Sequence, residues 1–390
     1  MTEPENLATP ENEMVDRSDE MLEMYAEEDG AQVLDRVASW FGRFIGALDA
    51  DDLDLLALWA VHTHLALECY TTPRLLLDSI TPGSGKTTVC EHLNRLTCNA
   101  VHFASLSSTA LLVRILQQGI CTLLIDEVDR SLAPDKPGVG ELTAVMNSGY
   151  KAGATRPVLV PAKGGQWAVE KMSTFAPVVL AGNSPRLPDD TRSRCIRILL
   201  MPSTDIEDSD WEYIEDDARR LHDNISAWAD TVRNTVKEMT VDLPENCTGR
   251  AREKWRPLKR VAVAADGHWP ATTDRLIRRG LDEDRADLMD GLRSEPPAMI
   301  LMRDLYAIWN MYWADKPFVA TKDLVNQLIL HNPQEWGLLS YYGKPLTDTR
   351  FGRMVAQATK VRSARVRGDG PRGYVKADLD RAWSRLKIGT

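Results

Sequence analysis

The stretch SITPGSGKTT, residues 79–88, constrains the fold more than any other. It follows a short apolar run, PRLLLDSI, and leads into KTTVCEHLNRLT, whose apolar residues recur at helical spacing. The order is strand, loop, helix. Small residues in such a loop let consecutive backbone N–H groups converge on an anion, and the helix N-terminus adds partial positive charge. Gly83 and Gly85 meet that need, with Pro82 and Ser84 completing the turn. Where the pattern GxxxxGK[ST] expects its first glycine, this chain has Ile80. Pro82 fixes its own φ and biases Thr81 toward extended backbone, so the corner can be rounded without glycine at 80. On this reading Lys86 reaches the β- and γ-phosphates of ATP, the Thr87 hydroxyl ligates Mg²⁺, and Thr88 supports the helix.

A second apolar strand, LLIDE (123–127), ends in two acids. Asp126 can hold Mg²⁺ through water and Glu127 can polarise an attacking water, so the pair points to hydrolysis rather than binding alone. A third strand, APVVLAGNSP, brings Asn183 to its end, where it serves either as a turn residue or as a group that orients the lytic water. LPDDTRSRCIRILL then presents Arg192 and Arg194 before a further strand. Either arginine can reach the γ-phosphate of a neighbouring subunit, with Arg194 the preferred candidate; the plainer alternative is a surface ion pair with Asp189 or Asp190. Between the second and third strands, PVLVPAKGGQWAVEKM reads as a hairpin turning at Lys163. Alternating strands and helices of this kind predict an α/β fold with a parallel sheet and a site at the strands' carboxyl ends.

The motif order GSGKTT, LLIDEVD, hairpin, LAGN, SRC resembles the AAA+ ATPase superfamily, in which Ser193-Arg194-Cys195 is similar to the arginine-finger motif of clamp loaders. From about residue 35, segments including LALWAVHTHL, MNSGYKAGATR, LAGNSPRLPDDTRSRCIRI and RAREKWRPLKRVAVAADGHWP resemble the ATPase family catalogued as domain of unknown function 3631, found in phages, plasmids and bacterial chromosomes. Members commonly carry a Ser-Pro-Glu-type turn at the position of Ser79, Ile80 and Thr81, while Asn183 departs from the small residue usual there. The resemblance implies an AAA+ P-loop core over 71–205, with N-terminal helices (31–70), a helical lid (206–295) and a winged-helix domain (296–390). It also implies a second sensor arginine at Arg250, with Arg252 in reserve, and a pore hairpin in which Lys163 follows a phosphate backbone and Trp167 stacks on bases.

The C-terminal run KVRSARVRGDGPRGYV carries Arg362, Arg365 and Arg367 around a Gly-Asp-Gly turn, a basic wing suited to phosphate contact or, alternatively, to protein contact. Composition qualifies this picture. The formal charge of −10 arises in the first 30 residues, which hold eleven acids and one base; residues 31–390 carry 46 of each. An acidic segment so poor in large apolar residues is expected to stay solvated, or to serve as a partner-binding segment, and a neutral body argues against non-specific coating of nucleic acid. Six cysteines without a CxxC pair predict reduced thiols and no zinc site, and no membrane-spanning or leader segment is expected, so the expected compartment is the cytoplasm. His62 and His64, two apart on a helix, read as surface residues.

Together these features predict an ATP- and Mg²⁺-dependent ATPase closing head to tail into a ring, with a hexamer expected, and acting as a DNA helicase or translocase. The runner-up is an ATP-controlled loader or defence ATPase that recruits a protein partner without unwinding DNA. A P-loop kinase is disfavoured by Glu127.

Overall fold

The computed structural model describes residues 29–104, 108–133, 136–161, 166–289, 296–340, 343–365 and 370–389. The acidic segment up to Glu28, Lys163 and Arg367 lie outside the described residues. The chain divides into two compact units at Asp284 and Arg285.

The first unit opens with α1 (Gly30–Phe44), α2 (Asp51–His64) and β1 (Arg74–Ser79). It continues through α3 (Lys86–Leu96), β2 (Val101–Phe103), α4 (Thr109–Gln117), β3 (Leu123–Ile125), α5 (Val128–Ser131) and α6 (Val139–Ser148). The hairpin strands β4 (Thr155–Pro161) and β5 (Trp167–Ser173) precede β6 (Val178–Asn183), α7 (Asp189–Arg192) and β7 (Cys195–Leu199). Three long helices follow: α8 (Trp211–Glu238), α9 (Gly249–Ala265) and α10 (Trp269–Met289), the last running across the division.

Five of these strands form a parallel sheet in the order β2-β3-β6-β1-β7, and β4 pairs antiparallel with β5 as the sequence predicts. Strand alternation feeds two cores. Leu75 and Leu77 of β1 join Val179, Ala181, Ile196 and Ile198 on one face, covered by α1, α2, α3 and α8 to α10. Leu76 joins Leu123, Ile125, Val178 and Leu180 on the other, beneath α4 and α6. A sheet buried on both faces needs the near-continuous apolar runs seen in LLL, TLLI and VVLA. The connection from β6 crosses β1 to reach β7, so the strand order reverses at β1, and the crevice at such a switch is where open α/β sheets bind ligands.

The helices of residues 30–64 share the first core with α8, α9 and α10. Asp29 caps α1 by accepting from Gln32 N, and Val33, Leu34, Val37, Trp40, Phe41 and Phe44 form its buried stripe. The expectation for His62 and His64 is corrected here. Both are buried, because α2 packs against α1, α8 and α9 and has no solvent face at its end.

The second unit contains α11 (Pro297–Trp313), β8 (Phe318–Ala320), α12 (Thr321–His331), α13 (Pro333–Trp336), α14 (Asp348–Thr359), β9 (Ala364–Arg365), β10 (Arg372–Val375) and α15 (Lys376–Leu386). Its strands form an antiparallel sheet in the order β8-β10-β9, and Leu305, Trp309, Leu328, Phe351, Tyr374 and Trp383 fill its core. Among the described residues all six cysteines are free, and no helix is long and apolar enough to cross a membrane.

Candidate functional site

Pairing between β1 and β6 sets Ser79 beside Asn183 at the carboxyl edge of the sheet. The chain then turns through residues 80–85 into α3. Gly83 and Gly85 have φ of 75° and 81°, in the region that favours glycine, and Gly85 stands as the N-cap. Ile80 is not among the positive-φ residues and is 75% exposed, so the position where a glycine was missing does not require one. Thr81 O accepts from Ser84 Oγ at 2.6 Å, which closes the turn.

Lys86, the first residue of α3, points back under the loop. Its Nζ donates to Ser79 Oγ (2.5 Å) and Asn183 Oδ1 (2.8 Å). The side chain is buried, and among the described residues no carboxylate pairs with it. A buried ammonium held only by neutral oxygens lacks its counter-charge, which an anion on the loop would supply. Thr87 Oγ1 donates to Asp126 Oδ2 at 3.0 Å, joining the start of α3 to the end of β3. These two hard oxygen donors suit Mg²⁺, which completes its shell with phosphate oxygens and water rather than with an all-protein cage. No group of three or more His, Cys, Asp and Glu side chains able to hold a metal occurs among the described residues.

Glu127 adopts φ 49° and ψ 42°, a left-handed conformation uncommon for a non-glycine residue. Its carboxylate is half exposed and pairs with Arg130 at 3.2 Å. Gly182 matters by its size: a Cβ there would meet Asp129 Oδ1 at 2.8 Å and Val128 Cγ2 at 2.9 Å. Its absence lets α5 approach β6 so that Asn183 N donates to Asp129 Oδ1 at 3.1 Å. Asn183 Oδ1 accepts from both Lys86 Nζ and Ser79 Oγ, so its amide faces the loop.

A cavity of about 350 Å³ adjoins the loop, lined by residues 83–88 on one side and by Ile45, Gly46, Met201, Ser203 and Ile206 on the other. An isolated bridge between Ala47 and Leu200 joins the chain after α1 to the chain after β7 and builds this second wall.

Arg194 lies at the opposite end of β1, where Arg74 N donates to Arg194 O and the loop is a full strand away, while Arg192 Nη2 donates to Pro185 O at 3.5 Å in the segment that follows β6. Arg194 sits 3.7 Å from Asp190 and 5.9 Å from the Tyr150 ring, and the Nε atoms of both arginines are buried without a partner. Arg250 stands apart from the loop. It pairs with Glu253 and lies 5.3 Å from the same Tyr150 ring, while Thr71, which precedes β1, donates to Glu253 O. Arg250 therefore stands at the amino end of the sheet and does not reach the loop of its own chain.

Trp167 opens β5 and is 66% exposed. In the second unit Arg362 is exposed and lines a hollow with Lys360, Arg381 and Arg385, and Arg365 on β9 faces Arg372 on β10 in register.

Residues 206–386 match the family model described as a protein of unknown function, DUF3631. The match spans less than half of the chain and begins after β7, so the loop, Asp126, Glu127, Asn183 and Arg194 lie outside it. An uncharacterised 28.9 kDa protein in the xis 5′ region of Saccharopolyspora erythraea is 28% identical over 174 residues, 42% of this chain and 59% of that protein. The chain thus spans about three fifths of that relative. Among solved structures, a full-length MCM homolog from Methanopyrus kandleri is 14% identical at a TM-score of 0.39, with 72% of this chain and 63% of that one covered. The C-terminal region of NrS-1 is 11% identical at 0.39, covering 88% and 75%. A JCV helicase is 15% identical at 0.30, covering 68% and 72%. Likeness this loose carries no function by itself.

Ser79, Asp129 and the wall of Ile45, Gly46 and Met201 adjoin the candidate site and carry no motif in the sequence. Ser79 contacts Lys86 and Asn183 through strand register, which a single sequence does not display.

Proposed function

We propose that this chain is an AAA+ P-loop ATPase that couples Mg²⁺-dependent ATP hydrolysis to movement on nucleic acid, working as a head-to-tail ring. The observation that carries the reading is the joint geometry of an unpaired Lys86 ammonium beneath a two-glycine loop and the Thr87–Asp126 contact beside it. ATP phosphates lie on the loop amides, and Lys86 moves from Ser79 and Asn183 to the phosphate oxygens. Thr87 and Asp126 would hold Mg²⁺, which would neutralise charge on the transferred phosphoryl group. Glu127 releases Arg130 and takes the proton of the attacking water, while Asn183 Nδ2 orients that water. Attack in line at the γ-phosphorus breaks its bond to the bridging oxygen of ADP. The cavity walled by Ile45 and Met201 takes the base.

Arg194, with Arg192 behind it, serves a neighbour's nucleotide. The order helix, strand, helix, helix, helix, strand, strand, helix in the second unit supports reading it as a winged helix whose Arg362, Arg365 and Arg367 meet phosphates. The hairpin β4–β5 would carry Lys163 and Trp167 to the strand.

The test is ATP turnover with and without single-stranded DNA. Turnover should rise with DNA, and Lys86→Ala or Glu127→Gln should lower kcat by about 10² to 10⁴. Identical rates with every DNA form would sink the motor and favour a nucleotide-controlled loader.

A further inference from the structure

A second cavity, of about 390 Å³, lies on the first unit away from the loop. One face of α9 forms its floor through Gly249, Arg252, Glu253, Arg256, Pro257 and Arg260, and residues 69–71 form its wall. The wall is fixed by a proline. Pro257 sits inside α9 and has no N–H to give to Glu253 O four residues earlier. Thr71 Oγ1 donates to that freed carbonyl at 2.8 Å, pinning the segment before β1 against the helix.

Arg252, Arg256 and Arg260 recur every four residues, one ladder of cations about 6 Å apart along the helix axis. Among the described residues none of the three has a carboxylate partner. Arg260 Nε is buried without any hydrogen-bond partner. Glu253, the one acid in the lining, is already taken by Lys151 and Arg250. Mutual repulsion along the ladder adds to burial in lowering the Arg256 pKa, so an anion here would relieve an existing strain of charge. At the rim Tyr70 is 67% exposed, with Lys151 Nζ 5.9 Å from its ring, an aromatic face beside three guanidinium groups that no carboxylate among the described residues neutralises.

We infer that this pocket is a second nucleotide-recognising site, in which the arginine ladder takes phosphates and Tyr70 stacks on a base. The chemistry is shared by a single strand and by a free nucleotide; the strand is the favoured source because three evenly spaced cations suit a repeating backbone, and that preference rests on the nucleic-acid reading above.

The experiment measures binding of a labelled oligothymidylate to the full chain carrying Lys86→Ala, without ATP, over a salt series. Adding Arg252→Gln with Arg256→Gln should weaken binding tenfold or more and flatten the log–log salt slope by about 0.7 per arginine. Adding Tyr70→Ala should weaken binding about fivefold or more with the slope unchanged. Displacement of the strand by ATP but not by pyrophosphate, lost in the same variants, would assign the pocket to a free nucleotide. Unchanged affinity and slope in variants with native circular dichroism would overturn the inference, as would binding of a peptide of residues 1–28 at these arginines with no strand binding. Because the assay reads no turnover, its failure leaves DNA-stimulated hydrolysis standing, and the absence of stimulation leaves the pocket standing.

Discussion

His62, His64 and His92 sit where an imidazolium cannot be solvated. His92 Nδ1 accepts from the indole N–H of Trp40 at 3.0 Å, so its proton resides on Nε2, facing Ser209 Oγ at 2.8 Å. His64 Nε2 faces Leu96 O at 2.9 Å and must donate to it. Burial, the main cause in each case, lowers the pKa of His62 to about 3 and those of His64 and His92 to about 4. The unfolded chain, with histidines near 6.5, binds more protons between those values, so stability rises with pH through that window. The contribution is complete above pH 6.5 and is lost as pH falls toward 4, at up to about 1.4 kcal/mol per histidine per pH unit. Denaturant midpoints should therefore fall from pH 7.5 to 5.5, while the three imidazole carbon shifts stay at neutral values. Stability that is flat over this range would contradict the burial argument. The pair in α2 was illegible because spacing of two predicts divergence on an isolated helix, whereas here both directions lead into packed neighbours.

At the scale of elements, local pattern and long-range closure separate cleanly. The strand–loop–helix of residues 74–96 and the strand that ends at the Asp126–Glu127 pair are each contiguous in sequence, and both were legible from residue types alone. The base-side wall was not, because it joins the end of α1 to the chain beyond β7 across a span that only the Ala47–Leu200 bridge closes. The place of Arg250 was illegible for a related reason: its helix is readable from the sequence, but which end of the sheet α9 meets depends on Pro257 and Thr71. The wall offers its own test. A Cβ on Gly46 would meet Ser203 Cβ at 2.1 Å, so Gly46→Ala must push the two segments apart at a cost of about 1–3 kcal/mol. ATP affinity should fall about tenfold in Gly46→Ala and recover in the double variant with Ser203→Gly, read by titration with a fluorescent nucleotide. An unchanged affinity in the single variant would remove the wall from the site.

For the whole molecule, β1 sets the decisive geometry. Lys86 follows its carboxyl end and Arg194 meets its amino end, so one chain cannot bring both to the same phosphate. If Arg194 acts in hydrolysis, it acts on another copy, through a heterologous contact that gives a ring where the rotation closes and a filament where it does not. Lys86→Ala and Arg194→Ala should each be nearly inactive alone, for different reasons: the first cannot engage ATP, the second cannot serve its neighbour. Mixing them recreates interfaces with an intact loop on one side and an intact arginine on the other. Random assembly of equal amounts makes about a quarter of interfaces competent, so roughly that fraction of wild-type turnover should return. Recovery should require time for subunit exchange and should vanish when the second partner carries both substitutions. A mixture as inactive as its components would leave Arg194 as the partner of Asp190 and nothing more.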